Sequence, residues 1–259
     1  MRNFFMLIIC AASLLMTGCN GFEEPQKIII GLDAEYAPFG FKNEQNEIVG
    51  FDVDLAKETM RRLGFAAEFK AIDWDTKEDA LNSNRIDIIW NGFDITPERR
   101  EKFLFSKPYM DNRQIIFVVK DNAQDIYSEY DLAGKIVGTQ TGSTSVAYIV
   151  HNHDLMLSLR SLKTYHSYLN AFNALGDGEV DALVCDELVG RYEMLRHIDK
   201  FDVIEVTVGP VTEIGIGFRK NDVALRDNVQ RVFDEMIKDG TAKKISEQWF
   251  QADLIKTRR

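Results

Sequence analysis

Ile28-Ile29-Ile30-Gly31-Leu32 is an unbroken apolar run, and Asp52 to Leu63 after it carries Leu55, Ala56, Thr59, Met60 and Leu63 at helical spacing. A run without alternation marks a strand buried on both faces, while the second pattern is one face of a helix, with Gly64 placed to cap it. Ala67 to Ile72 reads as the next strand and Ile86-Asp87-Ile88-Ile89-Trp90 as another. The rhythm restarts at Gln114 to Val119, continues through Lys135-Ile136-Val137-Gly138, and enters a helix near Ser143. Ser167 to Leu175 is amphipathic and ends at Gly176; Val180 to Val184 reads as a strand and Asp186 to Leu195 as a helix. Beyond Glu213-Ile214-Gly215-Ile216-Gly217-Phe218 a long helix carries Leu225, Val229, Val232, Phe233, Met236 and Ile237, and Gly240 separates it from a last helix reaching Trp249-Phe250. Alternating strands and helices predict an α/β fold with mainly parallel sheets, whose ligands sit beyond the carboxyl ends of strands. Periodicity leaves the number of lobes open.

The 259 residues suit one large domain or two smaller ones. With 45% hydrophobic and 28% charged residues the composition is globular, which excludes a wholly disordered chain. A net charge of −10 and the lack of any lysine/arginine-rich run exclude a sequence-independent nucleic-acid binder. No stretch of 18 apolar residues is present to span a membrane.

Phe4 to Met16 is an uncharged, mainly apolar run behind Arg2, the pattern of a secretory signal. Leu15-Met16-Thr17-Gly18-Cys19 resembles a bacterial lipobox, with Met16 where leucine is usual. The resemblance implies a signal peptide over residues 1–18, lipidation of Cys19, and a linker over 19–25; a plain secretory signal is the alternative. Cleavage there leaves Cys19, blocked by lipid, and a single Cys185, so no disulfide framework is expected. His151-x-His153 lies in a polar His-Asn-His-Asp stretch that reads as a solvated loop. No metal motif, P-loop or nucleophile elbow is present, and no metal or cofactor is expected.

Three segments carry the functional reading. Asp33-Ala34-Glu35-Tyr36-Ala37-Pro38-Phe39 precedes Ile48-Val49-Gly50-Phe51-Asp52-Val53-Asp54-Leu55-Ala56. Asn91-Gly92-Phe93-Asp94-Ile95-Thr96-Pro97-Glu98-Arg99 precedes Phe105-Ser106-Lys107-Pro108-Tyr109. Val137-Gly138-Thr139-Gln140-Thr141-Gly142-Ser143-Thr144 is followed by Asp181-Ala182-Leu183-Val184-Cys185-Asp186. In this order they resemble the polar amino-acid solute-binding proteins of ABC importers, solute-binding protein family 3, over about residues 26 to 251. The resemblance implies a type II periplasmic-binding-protein fold of two α/β lobes closing on one amino acid. Lobe 1 would comprise 26–108 and 214–259, lobe 2 would comprise 114–210, and the hinges would lie at 109–113 and 210–214. It also implies a monomer outside the cytoplasm, held to the membrane only through the Cys19 lipid, that hands an L-amino acid to a permease and its ATPase and does no catalysis.

A free amino acid presents a carboxylate, an ammonium and a side chain, so its site needs a cation, an anion and a lining. Arg99 follows a proline-opened helix start, and its planar guanidinium can grip a carboxylate in two places; on spacing alone it is a solvated arginine beside Glu98, Arg100 and Glu101, and Arg100 keeps that surface reading. Asp186 ends a strand and is either a helix N-cap or the ammonium's counter-ion, the role the family implies. The resemblance places Ser143 and Thr144 as donors on the opposing lobe, Asp94 near the ammonium, and Asn91 and Gly92 as backbone partners. It places Tyr36 and Trp74 as aromatic faces for the side chain, where core packing is the alternative, and Asp33 at the ligand's distal end. Gln140 and Cys185 are expected on the same rim, and Asp33, Glu35 and Asp94 make it acidic, which tilts the expectation weakly towards a cationic ligand. An extracytoplasmic sensor domain and a cyclohexadienyl-type dehydratase, with Glu35 or Asp94 as its acid or base, are the other readings.

Overall fold

The computed structural model describes residues 25–121 and 124–256. The expected signal peptide and the expected lipidation site Cys19 lie outside the described residues. Two sheets organise the chain. The first holds Ala66–Ala71, Lys27–Leu32, Ile88–Ile89, Gly217–Phe218 and Leu104–Phe105 in that spatial order, the first three parallel. The second holds Ser161–Tyr165, Ile136–Gln140, Ala182–Asp186, Met110–Val119, Phe201–Ile214 and Asp94–Ile95. Its first three strands are parallel and the rest antiparallel.

Both sheets are therefore mixed, because the chain passes between lobes on long strands that run back along each other. Met110–Val119 pairs with Phe201–Ile214 from Met110↔Ile214 to Val119↔Phe201. The ladder is broken between Val208 and Thr212, where Gly209 takes φ 75° ahead of Pro210. A side chain at Gly209 would meet the Tyr148 ring at 2.7 Å, so this bulge needs glycine on two counts. The segment after Ile88–Ile89 also changes sheets: Asp94–Ile95 pairs with Glu213–Ile214 in the second sheet.

Apolar residues cover both faces of each sheet, which is why its strands read as continuous runs. Ile28 and Ile30 pack into one core cluster while Ile29 packs into another with Leu81, Ile86 and Phe93. In the second sheet Ile115, Phe117 and Leu183 face one cluster, and Ile116, Val118 and Val184 face the other.

The long helices form where the periodicity places them. Phe51–Leu63 is closed by Gly64 at φ 76°, and Val223–Lys238 and Thr241–Phe250 flank Gly240 at φ 81°. Ser143 caps Thr144–His151 by accepting from the Val146 N–H, and Ser167 caps Tyr168–Gly176 in the same way. Some boundaries differ from expectation. The Ile86–Trp90 run forms a ladder only at Ile88–Ile89, and the Val180 strand is shifted to Ala182–Asp186. His151-Asn152-His153-Asp154 is a junction between two helices rather than a loop, with Asn152 capping His153–Ser158. A three-stranded antiparallel sheet, Glu35–Tyr36, Gly40–Lys42 and Ile48–Val49, has strands too short to leave a periodic trace.

Candidate ligand-binding cleft

The parallel strands of both sheets point their carboxyl ends at one cleft. Tyr36, Trp74, Gly92, Asp94 and Arg99 from one side and Gln140, Ser143, Thr144 and Asp186 from the other line a single cavity there. All nine were expected at the site. Asp33 and Asn91, also expected, stand behind the wall: Asn91 Oδ1 accepts from the Asp33 N–H at 3.0 Å, and Asp33 Oδ2 accepts from Gln140 Nε2 at 2.6 Å.

Asp186 is the N-terminal flank of Glu187–Arg196 but makes no side-chain cap. Its carboxylate turns into the cleft instead. Oδ2 accepts from the Tyr36 hydroxyl at 2.6 Å, and Oδ1 accepts from Asn112 Nδ2 and Gln114 Nε2, each at 2.5 Å. Behind it Gln114 Oε1 accepts from Ser145 Oγ, which lies 3.0 Å from the Tyr168 hydroxyl. Burial, then the neighbouring Asp94 charge, push Asp186 up to about 6 against these hydrogen bonds.

Asp94 is tied to both crossover strands and to the opposite side of the cleft. Its Oδ1 accepts from Thr212 Oγ1 at 2.7 Å and Asn112 Nδ2 at 3.0 Å, and its Oδ2 accepts from Thr144 Oγ1 at 2.6 Å. Arg99 stands on Pro97–Lys102, a short helix capped by Thr96. Its Nη1 donates to the Asp94 carbonyl at 3.1 Å and its Nη2 across the cleft to the Gly142 carbonyl at 3.2 Å, with the guanidinium 4.6 Å over the Phe93 ring. Two of the five N–H groups are so used. Burial lowers the Arg99 pKa, and Asp94 and Asp186 oppose the shift. Arg100 is exposed, as its surface reading required.

The Gly92 N–H donates to Asp52 Oδ2 at 2.6 Å, so its carbonyl is the backbone group left to partner an ammonium. Asp52 also accepts from the Tyr109 hydroxyl at 2.7 Å, and burial pushes it up to about 7. A Cβ at Gly92, where φ is 56°, would meet the Tyr36 ring at 2.6 Å, which keeps this floor position free of a side chain. Trp74 meets Phe93 edge-on at 5.7 Å, so it both packs and lines the cavity.

Two expectations are corrected. Cys185 is fully buried in the core, its thiol directed at the Asp186 carbonyl at 3.4 Å, while Asp186 lies on the opposite face at the strand's carboxyl end, where the cleft opens. Glu35 is exposed and takes no part in the wall, so the buried carboxylates there are Asp33, Asp94 and Asp186. The residues the sequence reading missed are Asn112, Gln114, Ser145, Thr212, Asp52 and Lys77. Asn112 and Gln114 carried no signal, since they lie in the polar run Asp111 to Gln114 and only the strand's alternation buries them. Lys77 had none. It is buried, with Nζ 5.0 Å from the Trp74 ring centroid. Among the described residues no group of three or more His, Cys, Asp and Glu is arranged to hold a metal ion.

Comparison with known proteins follows this geometry. The ABC transporter arginine-binding protein 1 of Escherichia coli (strain K12) is 33% identical over 243 residues, covering 92% of this chain and 97% of its own length. The histidine-binding periplasmic protein of Salmonella typhimurium (strain LT2) is 31% identical, covering 89% and 90%. Among solved structures, a histidine-bound ABC uptake transporter substrate-binding protein from Streptococcus pneumoniae superposes with a TM-score of 0.85 at 30% identity, covering 89% of this chain and 95% of the other. An ancestral arginine-binding protein bound to arginine gives 0.82 at 36%, covering 88% and 100%. The two-lobed α/β fold is the one these proteins share. The pattern of the bacterial extracellular solute-binding proteins, family 3, matches residues 28–252, and the chain belongs to that family.

Proposed function

We propose that the protein is an extracytoplasmic receptor that closes its two lobes on one polar L-amino acid and delivers it to an ABC importer, acting as a binder and not a catalyst. The observation that carries this reading is the division of one cavity between Arg99 and the Asp186 carboxylate. That division matches the two ends of a zwitterion. Arg99 grips the α-carboxylate, joined by donors at Ser143 and Thr144. Asp186, with Asp94 beside it, holds the ammonium, completed by backbone carbonyls at Asn91 and Gly92. Tyr36 and Trp74 hold the side chain, with Asp33 and Gln140 behind them. Two buried carboxylates, Asp33 and Asp94, still support a cationic or amide side chain, and relatives named for arginine and histidine fit that lean.

The bending segments of this reading are 109–113 and 210–214, the stretch of paired crossover strands beside the Gly209-Pro210 bulge. Residues 26–108 with 214–259 move as one lobe and 114–210 as the other. A ligand stabilises closure only by binding the closed arrangement better than the open one. Cys19 carries the lipid that tethers the receptor, and the permease meets the outer surfaces of both lobes.

Isothermal calorimetry of the chain from residue 20 onward, unfolded and refolded to strip ligand, tests the reading against the twenty L-amino acids and L-cystine. One-to-one binding of one or a few is the expected result. Binding of none rejects it.

A further inference from the structure

Arg99 is not the only cation at the closed cleft. Lys77, eight percent exposed at the start of Lys77–Asn82, donates from Nζ to the Trp74 carbonyl at 2.9 Å and to the Gly142 carbonyl at 3.0 Å. The first bond stays within one lobe. The second crosses the cleft to the turn between Ile136–Gln140 and Thr144–His151. Among the described residues Lys77 forms no ion pair; its hydrogen bonds go to these carbonyls, its Nζ lies by the Trp74 ring, and Asp75 and Glu78 act on it through their charge. Burial and the neighbouring Arg99 charge pull its ammonium down to about 7, so the bond to Gly142 is made under strong desolvation.

Gly142 is shaped to receive it. Its φ of 71° is open to glycine, and a Cβ there would lie 3.0 Å from the Asp75 Cα and 3.2 Å from Lys77 Nζ. Segment 74–77 thus seats backbone against backbone on the Gly142 turn, and the Gly142 carbonyl receives both Lys77 and Arg99. The next two residues of that turn, Ser143 and Thr144, are donors of the cleft.

We propose that Lys77 is a positioning residue for binding: its ammonium latches the Gly142 turn in the closed arrangement, holding Ser143 and Thr144 in register with Arg99 and setting how long the ligand stays. The inference rests on the reading of this cleft as the amino-acid site. A bond made only on closure stabilises the closed complex and leaves the encounter untouched, so its loss appears in the dissociation rate.

The test is stopped-flow kinetics on wild type, Lys77→Met and Lys77→Arg, using as probe whichever of the twenty L-amino acids and L-cystine binds wild type most tightly. Lys77→Met keeps the length and removes the donor. Dissociation is expected to quicken about tenfold, the size for one charge-assisted hydrogen bond, with association within about twofold of wild type. Lys77→Arg retains slow dissociation, and the thermal midpoint of ligand-free Lys77→Met stays that of wild type. Unchanged dissociation overturns the proposal. So does a ligand-free midpoint that falls in step with affinity, which places Lys77 in the stability of its own lobe; if Lys77→Met does not fold, Lys77→Gln is read by the same criteria, and failure of both to fold also overturns it. Wild type that binds none of the probes rejects the amino-acid reading itself, and this inference with it.

Discussion

Asp94 and Asp186 share one donor: Asn112 Nδ2 lies 3.0 Å from an oxygen of the first and 2.5 Å from an oxygen of the second. Two buried carboxylates side by side repel, and the amide between them, carried on a crossover strand, holds them on one wall. Removing that donor leaves both short of a partner. Asn112→Ala is expected to weaken ligand binding at least tenfold and to cost about 1.5–3 kcal/mol of ligand-free stability, the range for a hydrogen bond to a charged group, since each carboxylate oxygen keeps another donor. Calorimetry and urea unfolding read the two effects, and wild-type values for both remove Asn112 from this role.

Arg99 bonds only to main-chain carbonyls and lies half-buried at the cleft, so it contributes to the site more than to the fold. Arg99→Ala is expected to abolish detectable amino-acid binding while the ligand-free thermal midpoint moves by only a few degrees. Retained affinity takes Arg99 out of the carboxylate-binding role. Arg99→Lys tests the geometry, since a point charge cannot replace the fork and recovers little.

Asp186 makes the affinity depend on pH. In the closed cleft without ligand, burial and the neighbouring Asp94 charge raise its pKa to about 6. A bound ammonium favours the charged form and lowers that pKa, so the occupied closed cleft holds fewer protons at Asp186 than the unoccupied closed one. Through Asp186, affinity is therefore expected to rise with pH on the acid side of about 6, with a slope of at most about tenfold per pH unit. Titrations from pH 4 to 8 check this. Asp186→Asn is expected to bind weakly and to lose the acid slope; a variant that keeps both affinity and slope assigns them to another group.

The ladder break at Gly209 gives a backbone prediction. With φ at 75° and the Tyr148 ring 2.7 Å from where a Cβ would stand, Gly209→Ala is both strained and crowded. It is expected to cost about 1–2 kcal/mol of stability, read by urea unfolding. A variant as stable as wild type shows that the crossover can re-form without this turn.

Much of this molecule was legible before folding. The apolar runs at Ile28–Leu32 and Gln114–Val119 and the stripe from Leu225 to Ile237 are strands and a helix because burial on two faces or one leaves a period in the sequence. Arg99, Thr144 and Asp186 were recognisable because their motifs resemble the family's; on spacing alone Arg99 reads as a solvated arginine. Two lobes were implied only by resemblance. The three-stranded sheet at Glu35 to Val49 left no periodic trace, since two-residue strands are too short to show one.

What only the tertiary structure decided is which polar atoms meet. On its own position Asp186 was either an N-cap or a counter-ion, the resemblance favouring the second; in the structure its carboxylate makes no cap and accepts from Tyr36, Asn112 and Gln114. Cys185 and Asp186 are neighbours in sequence, yet one packs in the core and the other, on the opposite face at the strand's end, lines the cleft. Lys77 gave no warning, because a lysine beside Asp75 and Glu78 reads as a solvated helix start until the Gly142 turn closes over it. Local patterning determines elements through the period of their buried faces; the site depends on contacts between residues far apart in the chain, and those exist only once the two sheets are brought together.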